Sequence, residues 1–299
     1  SRLLLGRVLR QARRDTWNPA SVLLGAAYGV TNLRLGRSQK SVRSRASLMF
    51  QLCITTSMIS VVKTLNSFPR ERTTVRREMA RGRGRGGYGA GPYMLTKMLV
   101  ETPLDAAFPL IFGGVVAPLA GLNRRRLPQF LSVVAAQSMA ASGIGLTIGA
   151  VCPSVDTALA LGPALMVVSI MVADESGMFA EIPAFMRPLA KASVVKWGFQ
   201  GCMAAEMAGL EFDADDSALP RALREAKGPA GEAQRRAARE MCLTTGSAFL
   251  EGLGLTQHAV RNALRATGGI YVANAAVSYI AMRAQDAEGS IARLSGNVH

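Results

Sequence analysis

Long apolar runs separated by basic breaks recur along most of this chain, and they set the expected elements. The runs are Pro19–Leu35, Ala46–Leu65, Leu104–Leu122, Phe130–Val151, Thr157–Ala173 and Gly268–Met282. A helix needs about 20 predominantly apolar residues to cross the hydrocarbon core of a bilayer, so the pattern predicts an all-α membrane protein with six spans. The last is the shortest. Between the second and third lies FPRERTTVRREMARGRGRGGYGAGPYMLTKMLVETP, from Phe68 to Pro103. Arginine at that density cannot sit in hydrocarbon, so this stretch is expected as a loop on one side of the membrane.

Finer features refine the map. Leu4, Leu5, Val8, Leu9 and Ala12 share one helical face of Ser1–Thr16, with Arg7, Arg10, Arg13 and Arg14 around it. That pattern suits a basic amphipathic helix lying in a membrane interface, and equally a solvated surface helix. Trp17 follows as an interfacial anchor. Gly25, Ala26, Ala27 and Gly29 in the first span would let another helix approach closely, and this small-residue face is expected to help assemble a dimer. The second span carries Gln51, Thr55, Thr56, Ser57 and Ser60, too many polar groups for a lipid-facing helix, so some must face protein or a watery cavity. Lys63 is expected to snorkel to the interface. Asn123–Arg126 reads as a tight basic turn and Cys152–Asp156 as another, with the fifth span broken at Gly162 and Pro163. Asp174–Pro188 is too short and polar for a full crossing and fits a helix that re-enters the membrane. Ala190–Leu210 reads as an amphipathic or partly buried helix, and Glu211–Arg265 as the one sizeable polar segment.

Composition narrows the function. The 299 residues are 49% apolar with a formal charge of +15, and the mean hydropathy is +0.20. Such a charge in a soluble domain would suggest nucleic acid. Here the basic residues cluster at the ends of apolar runs and only 6% of residues are aromatic, which disfavours stacking on bases, so no nucleic-acid partner is expected. Arg81–Gly87 resembles a single RNA-binding RGG copy, but a flexible basic loop against anionic headgroups explains it as well. Cys53, Cys152, Cys202 and Cys242 are scattered and only His258 and His299 supply imidazoles, so neither a metal site nor a dense disulfide framework is expected. Without a Gly-Lys dipeptide there is no Walker-type phosphate loop, and no nucleophile–base pair suggests catalysis. Glu101, Asp105, Asp174, Glu175 and Glu181 near span ends fit either a proton relay or interfacial ion pairs, the second being favoured. A chain that starts at Ser1 reads as a piece of a longer polypeptide.

The order of several motifs resembles the membrane domain of the G subfamily of ABC transporters, the white/brown type. Phe68, Glu71-Arg72, Glu78, Gly87-Tyr88 and Tyr93 follow the second span, then Lys97, Leu99, Glu101 and Pro103. Gly121-Leu122, Ala158 to Pro163, Gly177-Met178-Phe179, Ile182-Pro183, and Ser193, Lys196, Trp197 with Glu206 to Phe212 continue the match. Cys242, Thr245-Gly246 and Leu250 end it, so the likeness runs from about Asp15 to Arg283. It implies a connecting helix over 1–18, a six-span domain over 19–283 with an outer loop about 211–266, and a tail over 284–299.

The resemblance also implies a role and its residues. The chain would be the export domain of a half transporter that works as a homo- or heterodimer in the plasma membrane or an organellar membrane, among membrane lipids. It would not itself be an enzyme: ATP and Mg would sit on a nucleotide-binding domain in the same polypeptide or on a partner chain. The implied cavity is lined by Thr55 and Met58 on the second span and Met166 and Ile170 on the fifth, closed by a plug of Met178 and Phe179. Glu71–Arg81 is expected as a short helix on the ATPase, with Glu71, Arg72, Arg77 and Glu78 in contact. Three departures stand out. No ATPase domain is present, Cys242 is the only cysteine in the outer loop with Cys202 shortly before it, and Gly82–Gly87 is inserted. Family topology would also put Arg34–Arg45 and Arg124–Arg126 outside, against the preference of basic residues for the cytosolic side. A passive channel or lipid scramblase, or a membrane scaffold, remain the other readings.

Overall fold

Alanine, leucine, valine and methionine, punctuated by single glycines and prolines, leave little room for strands, and every regular element described is helical. The computed structural model describes residues 19–31, 39–82, 90–173, 186–210, 212, 246–255 and 258–296. In order these form α1 (Pro19–Thr31), α2 (Gln39–Gly82), α3 (Ala90–Ala120), a 3-10 turn (Arg124–Arg126), α4 (Leu127–Val151) and α5 (Val155–Met171). Then come the short α6 (Arg187–Ala190), α7 (Val194–Met207), α8 (Gly246–Gly252) and α9 (Ala259–Gly296). The helix expected over 1–16 and the re-entrant stretch over 174–185 lie outside the described residues. Segments 41–68 and 124–151 are long and apolar enough to cross a membrane, while the apolar helices over 105–120 and 155–171 are shorter.

The principal departure from the sequence pattern is length. α2 does not stop at Leu65 but runs for 44 residues to Gly82, about 66 Å at 1.5 Å per residue. Roughly half of that exceeds the ~30 Å hydrocarbon layer. The segment expected as a separate short helix, Glu71–Arg81, is therefore the continuation of the second span. α3 likewise starts at Ala90, well before Leu104, and keeps Pro103, Pro109 and Pro118 within one helix. α5 is not broken at Gly162-Pro163 but continuous. α9 extends from Ala259 to Gly296, so the tail placed after residue 283 begins as helix. In α2 and α9 helical propensity carries the backbone past the point where hydropathy changes, because arginine, glutamate and alanine are good helix formers.

α4 is the hub, packing on α2, α3, α7 and α9. Its interior face is built of small and polar residues such as Ala140, Ala141, Ser138, Ser142, Gly145 and Gly149, all buried. Gln137 is fully buried too, and its Nε2 donates to the Cys53 carbonyl at 2.8 Å and to Ser57 Oγ at 2.7 Å. Ser60 and Ser138 hydroxyls pair across the same helices. Further along, Thr147 Oγ1 donates to Asn274 Oδ1 of α9 at 2.8 Å. Close approach needs glycine at particular crossings. A Cβ on Gly162 would lie 2.2 Å from Leu65 Cδ1, and one on Gly198 would overlap the Gln137 amide at 1.9 Å. α7 fits among its neighbours so completely that all but Trp197 and Gln200 of its 14 residues are buried, and this helix is interior rather than amphipathic. α1 uses its small face on α3 of the same chain, where a Cβ on Gly29 would meet Leu119 at 2.5 Å. Gly25 and Gly29 thus meet a helix of the same chain, as close packing requires, while Ala27 stays exposed.

One buried ion pair ties α2, the basic turn and α7. Arg45 Nη1 pairs with Glu206 Oε1, their side chains 4% and 2% exposed. Arg45 also reaches the Gly121 carbonyl at 3.3 Å, and Glu206 Oε2 accepts the Asn123 backbone N–H at 2.9 Å. Gly121 takes φ 69°, the left-handed conformation that glycine adopts without strain, and so turns the chain out of α3. Asn123 then caps the arginine turn by accepting from the Arg125 N–H at 3.2 Å. Arg45 is thus not a free surface charge, which eases the conflict over basic residues at this end, while Arg124, Arg125 and Arg126 stay exposed.

Two outcomes follow for stability in detergent. Glu206→Ala leaves a buried guanidinium without its carboxylate and should cost about 3–5 kcal/mol, whereas the pair Arg45→Met with Glu206→Leu should recover most of it. Thermal unfolding of the three variants reads this directly. Gly162→Leu must push α5 from α2, an overpacking loss of about 1–3 kcal/mol with a lowered Tm.

Candidate functional site

With its hydroxyls turned inward, α2 presents a second face. Thr56, Ser57, Ser60 and Thr64 are buried, and the Thr56 hydroxyl is returned to its own helix at the Leu52 carbonyl, 2.9 Å. Gln51, Thr55, Met58, Val62 and Asn66 fall on the other side at spacings of three or four, exposed or half-buried. Thr55 and Met58 therefore fall on one stripe. Thr55 Oγ1 meets the Tyr28 hydroxyl of α1 at 2.9 Å. Tyr28 stands edge-on to Phe112, with ring centroids 5.7 Å apart, and Phe112 stacks on Phe108 at 5.9 Å. An aromatic wall from α1 and α3 thus flanks the stripe.

α5 borders α2 on the other side. Ala158, Gly162 and Met166, four residues apart, are its buried positions. Met166 is 0% exposed and packs within the protomer, whereas Ile170 is half-buried against the core. The open side of α5 is instead carried by Leu161 and Leu165, each 42% exposed, with Val167 and Met171 more exposed still. The signal for this was in the sequence: Gly162 marks the face pressed on α2, and Met166, one turn further, shares it. Met178 and Phe179 lie outside the described residues.

At the far end of the bundle, Phe68 is fully buried with Leu146, Ala150 and Met282, drawing α2, α4 and α9 together. Lys97 of α3 lies over the Phe68 ring at 5.4 Å and donates to Glu71 Oε2 at 2.5 Å. One of the four residues expected to touch an ATPase is thus engaged within the chain, holding α2 to α3 where α2 leaves the apolar layer. Lys63 adds a second link to α3 through Asp105 at 3.1 Å. It pairs with a carboxylate in place of the snorkelling expected, and Asp105 fits the ion-pair reading of the edge carboxylates. Arg72, Arg77 and Glu78 lie on the same continuous helix. No group of three metal-ligating side chains occurs among the described residues.

The arrangement offers binding and motion. An uncharged stripe of amide, hydroxyl, thioether and aliphatic groups suits apolar or amphipathic molecules, and methionine adapts to varied shapes. A single helix joins that stripe to the charged extension beyond Glu71.

Comparison with known proteins places these features in a family. Residues 2–207 match the model of the ABC-2 type transporter. The chain is 40% identical over 220 residues to ABC transporter G family member 7 of Arabidopsis thaliana, covering 71% of this chain and 30% of that protein. It is 28% identical over 169 residues to G family member 22 of the same plant, 56% of this chain and 21% of the relative. Over 193 residues it is 23% identical to Protein white of Drosophila melanogaster, 64% of this chain and 28% of the relative. The chain therefore spans less than a third of the length of the curated relatives it matches. A helical bundle with two membrane-length segments, the motif order from Phe68 onward and these matches lead to one conclusion: the chain belongs to the ABC-2 type transporter family, as a membrane domain of the ABC transporter G type.

Proposed function

We propose that this domain is the membrane path of an ATP-driven exporter that carries lipid-like or amphipathic small molecules and works as a dimer. The observation that carries the reading is the open stripe of Gln51, Thr55, Met58 and Val62 on α2 beside exposed Leu161 and Leu165 on α5. Apolar positions left uncovered on two adjacent helices, with hydrogen-bonding groups among them, suit a surface that faces its copy across a shared cavity. The lining holds no charge, which favours apolar cargo over ions. Six crossings, with α1, α3, α5 and α9 completing those of α2 and α4, belong to this reading, as do the re-entrant stretch and a plug of Met178 and Phe179.

Energy would come from ATP and Mg held on a nucleotide-binding domain, in the same polypeptide or on a partner. The continuity of α2 supports a rigid coupling. A displacement at Arg72, Arg77 and Glu78 would be carried along one helix to Thr55 and Met58, with the Lys97–Glu71 pair keeping α3 in step. Cargo release then needs two arrangements of the bundle that the ATPase alternates between, with no covalent chemistry in this chain.

Two measurements test this. Met58→Trp fills the stripe and should abolish transport in reconstituted vesicles at unchanged expression, while Val272→Trp, on an exposed part of α9, should transport like the parent. Equal transport by both variants removes the stripe from the path. Charge reversal of Arg77 and Glu78 together should leave basal ATP hydrolysis within about twofold and lose its stimulation by cargo, an effect of the size typical of coupling free energies. Normal stimulated transport in that variant disproves the coupling role.

A further inference from the structure

Two cysteines far apart in sequence meet inside the bundle. Cys53 Sγ on α2 and Cys202 Sγ on α7 lie 3.9 Å apart. Both are 0% exposed and both are free thiols. The register that brings them together is fixed by other contacts of the same two helices. Phe50 and Phe199, each three residues before its cysteine, stand edge to face with centroids 5.4 Å apart. Gln137 holds the backbone of Cys53 from a third helix. Cys152 is also buried and free but makes no such sulfur contact among the described residues.

We propose that Cys53 and Cys202 form an oxidation site at which an apolar hydroperoxide, of the kind produced in oxidised lipid, is reduced to its alcohol while α2 becomes covalently joined to α7. Location selects the oxidant. Cys53 stands eight residues along α2 from Arg45, about 12 Å along the apolar segment, so an oxidant reaches it through apolar surroundings. An apolar hydroperoxide dissolves in such surroundings, whereas a water-borne oxidant is excluded from them.

The chemistry balances without another reactant. One sulfur attacks the outer peroxide oxygen, the O–O bond breaks, and the departing alkoxide takes the thiol proton, leaving a sulfenic acid and an alcohol. The second sulfur attacks the sulfenic sulfur, the S–O bond breaks, and hydroxide leaves with the second thiol proton as water. Two electrons pass from the thiols to the peroxide. A neighbouring thiol already in contact favours this second step over further oxidation. The two sulfurs start 3.9 Å apart and close to the ~2.05 Å of a disulfide. The inference does not rest on the transport reading.

The test uses the full chain in phospholipid vesicles with Cys152→Ser and Cys242→Ser, so that Cys53 and Cys202 are the only cysteines. Cumene hydroperoxide, as the apolar oxidant, and hydrogen peroxide are added in parallel. Thiols are then counted with a maleimide after unfolding, and peptides are mapped by mass. The expected result is joint loss of both thiols, a Cys53–Cys202 peptide within one chain, a raised Tm, reversal by dithiothreitol, and slower loss with hydrogen peroxide. With Cys53→Ser added, the crosslinked peptide should vanish and Cys202 should survive longer. Thiols that remain alkylatable, crosslinks only between chains, or Cys202 lost as fast without Cys53 would each overturn the site. Equal rates with the two oxidants would overturn the selection of an apolar peroxide.

Discussion

Every polar group that α2 carries into the bundle has to be satisfied there, because neither lipid nor packed apolar side chains offer hydrogen bonds. That constraint sets the rotation of the helix. Ser57 and Ser60 must turn to Gln137 and Ser138 on α4, and Thr56 must close on its own backbone. Once they do, Gln51, Thr55, Met58, Val62 and Asn66 can only face the other way. The open stripe is thus a consequence of where the serines had to go. Thr55 completes the pattern, since its hydroxyl finds Tyr28 rather than being left bare.

Packing in the bundle follows the same economy of close approach. Lipid chains are as apolar as leucine, so helices gain by fitting closely rather than by leaving water. Glycines sit where two helices cross, with Gly162 against Leu65 and Gly198 against Gln137. The Gln137 amide can bond α2 because α7 presents no side chain at Gly198. Packing and hydrogen bonding are therefore one device at this point, and a methyl group there would disturb both.

Charge is used at the two ends of the same helix. Arg45 is neutralised by Glu206 at one end, and Glu71 pairs with Lys97 at the other. Each pair joins α2 to a different partner, α7 or α3, so α2 is held at both ends and still leaves its stripe open. The proposed coupling requires that a rod held this way shift as a whole.

How much of this was legible in the sequence depended on whether a feature is local. Helical fold class, the tight turn at Asn123–Arg126 and the inward demand of Thr56, Ser57 and Ser60 were readable, because each follows from residue type and spacing within a few turns, and the family was readable from the order of motifs along the chain. The ends of helices were not. Hydropathy reports where lipid stops, whereas the backbone of α2 and α9 continues wherever arginine, glutamate and alanine tolerate it. Partner choice was equally hidden. The sequence shows that Gly29 wants a close neighbour but not that the neighbour is Leu119 of the same chain, and it shows Met166 as apolar but not that it is sealed beneath α5. Arg45 with Glu206, and Cys53 with Cys202, are more than a hundred residues apart. The sequence determined which groups would need partners; only the tertiary structure decided which, because that depends on how six or more helices rotate and slide against one another at once.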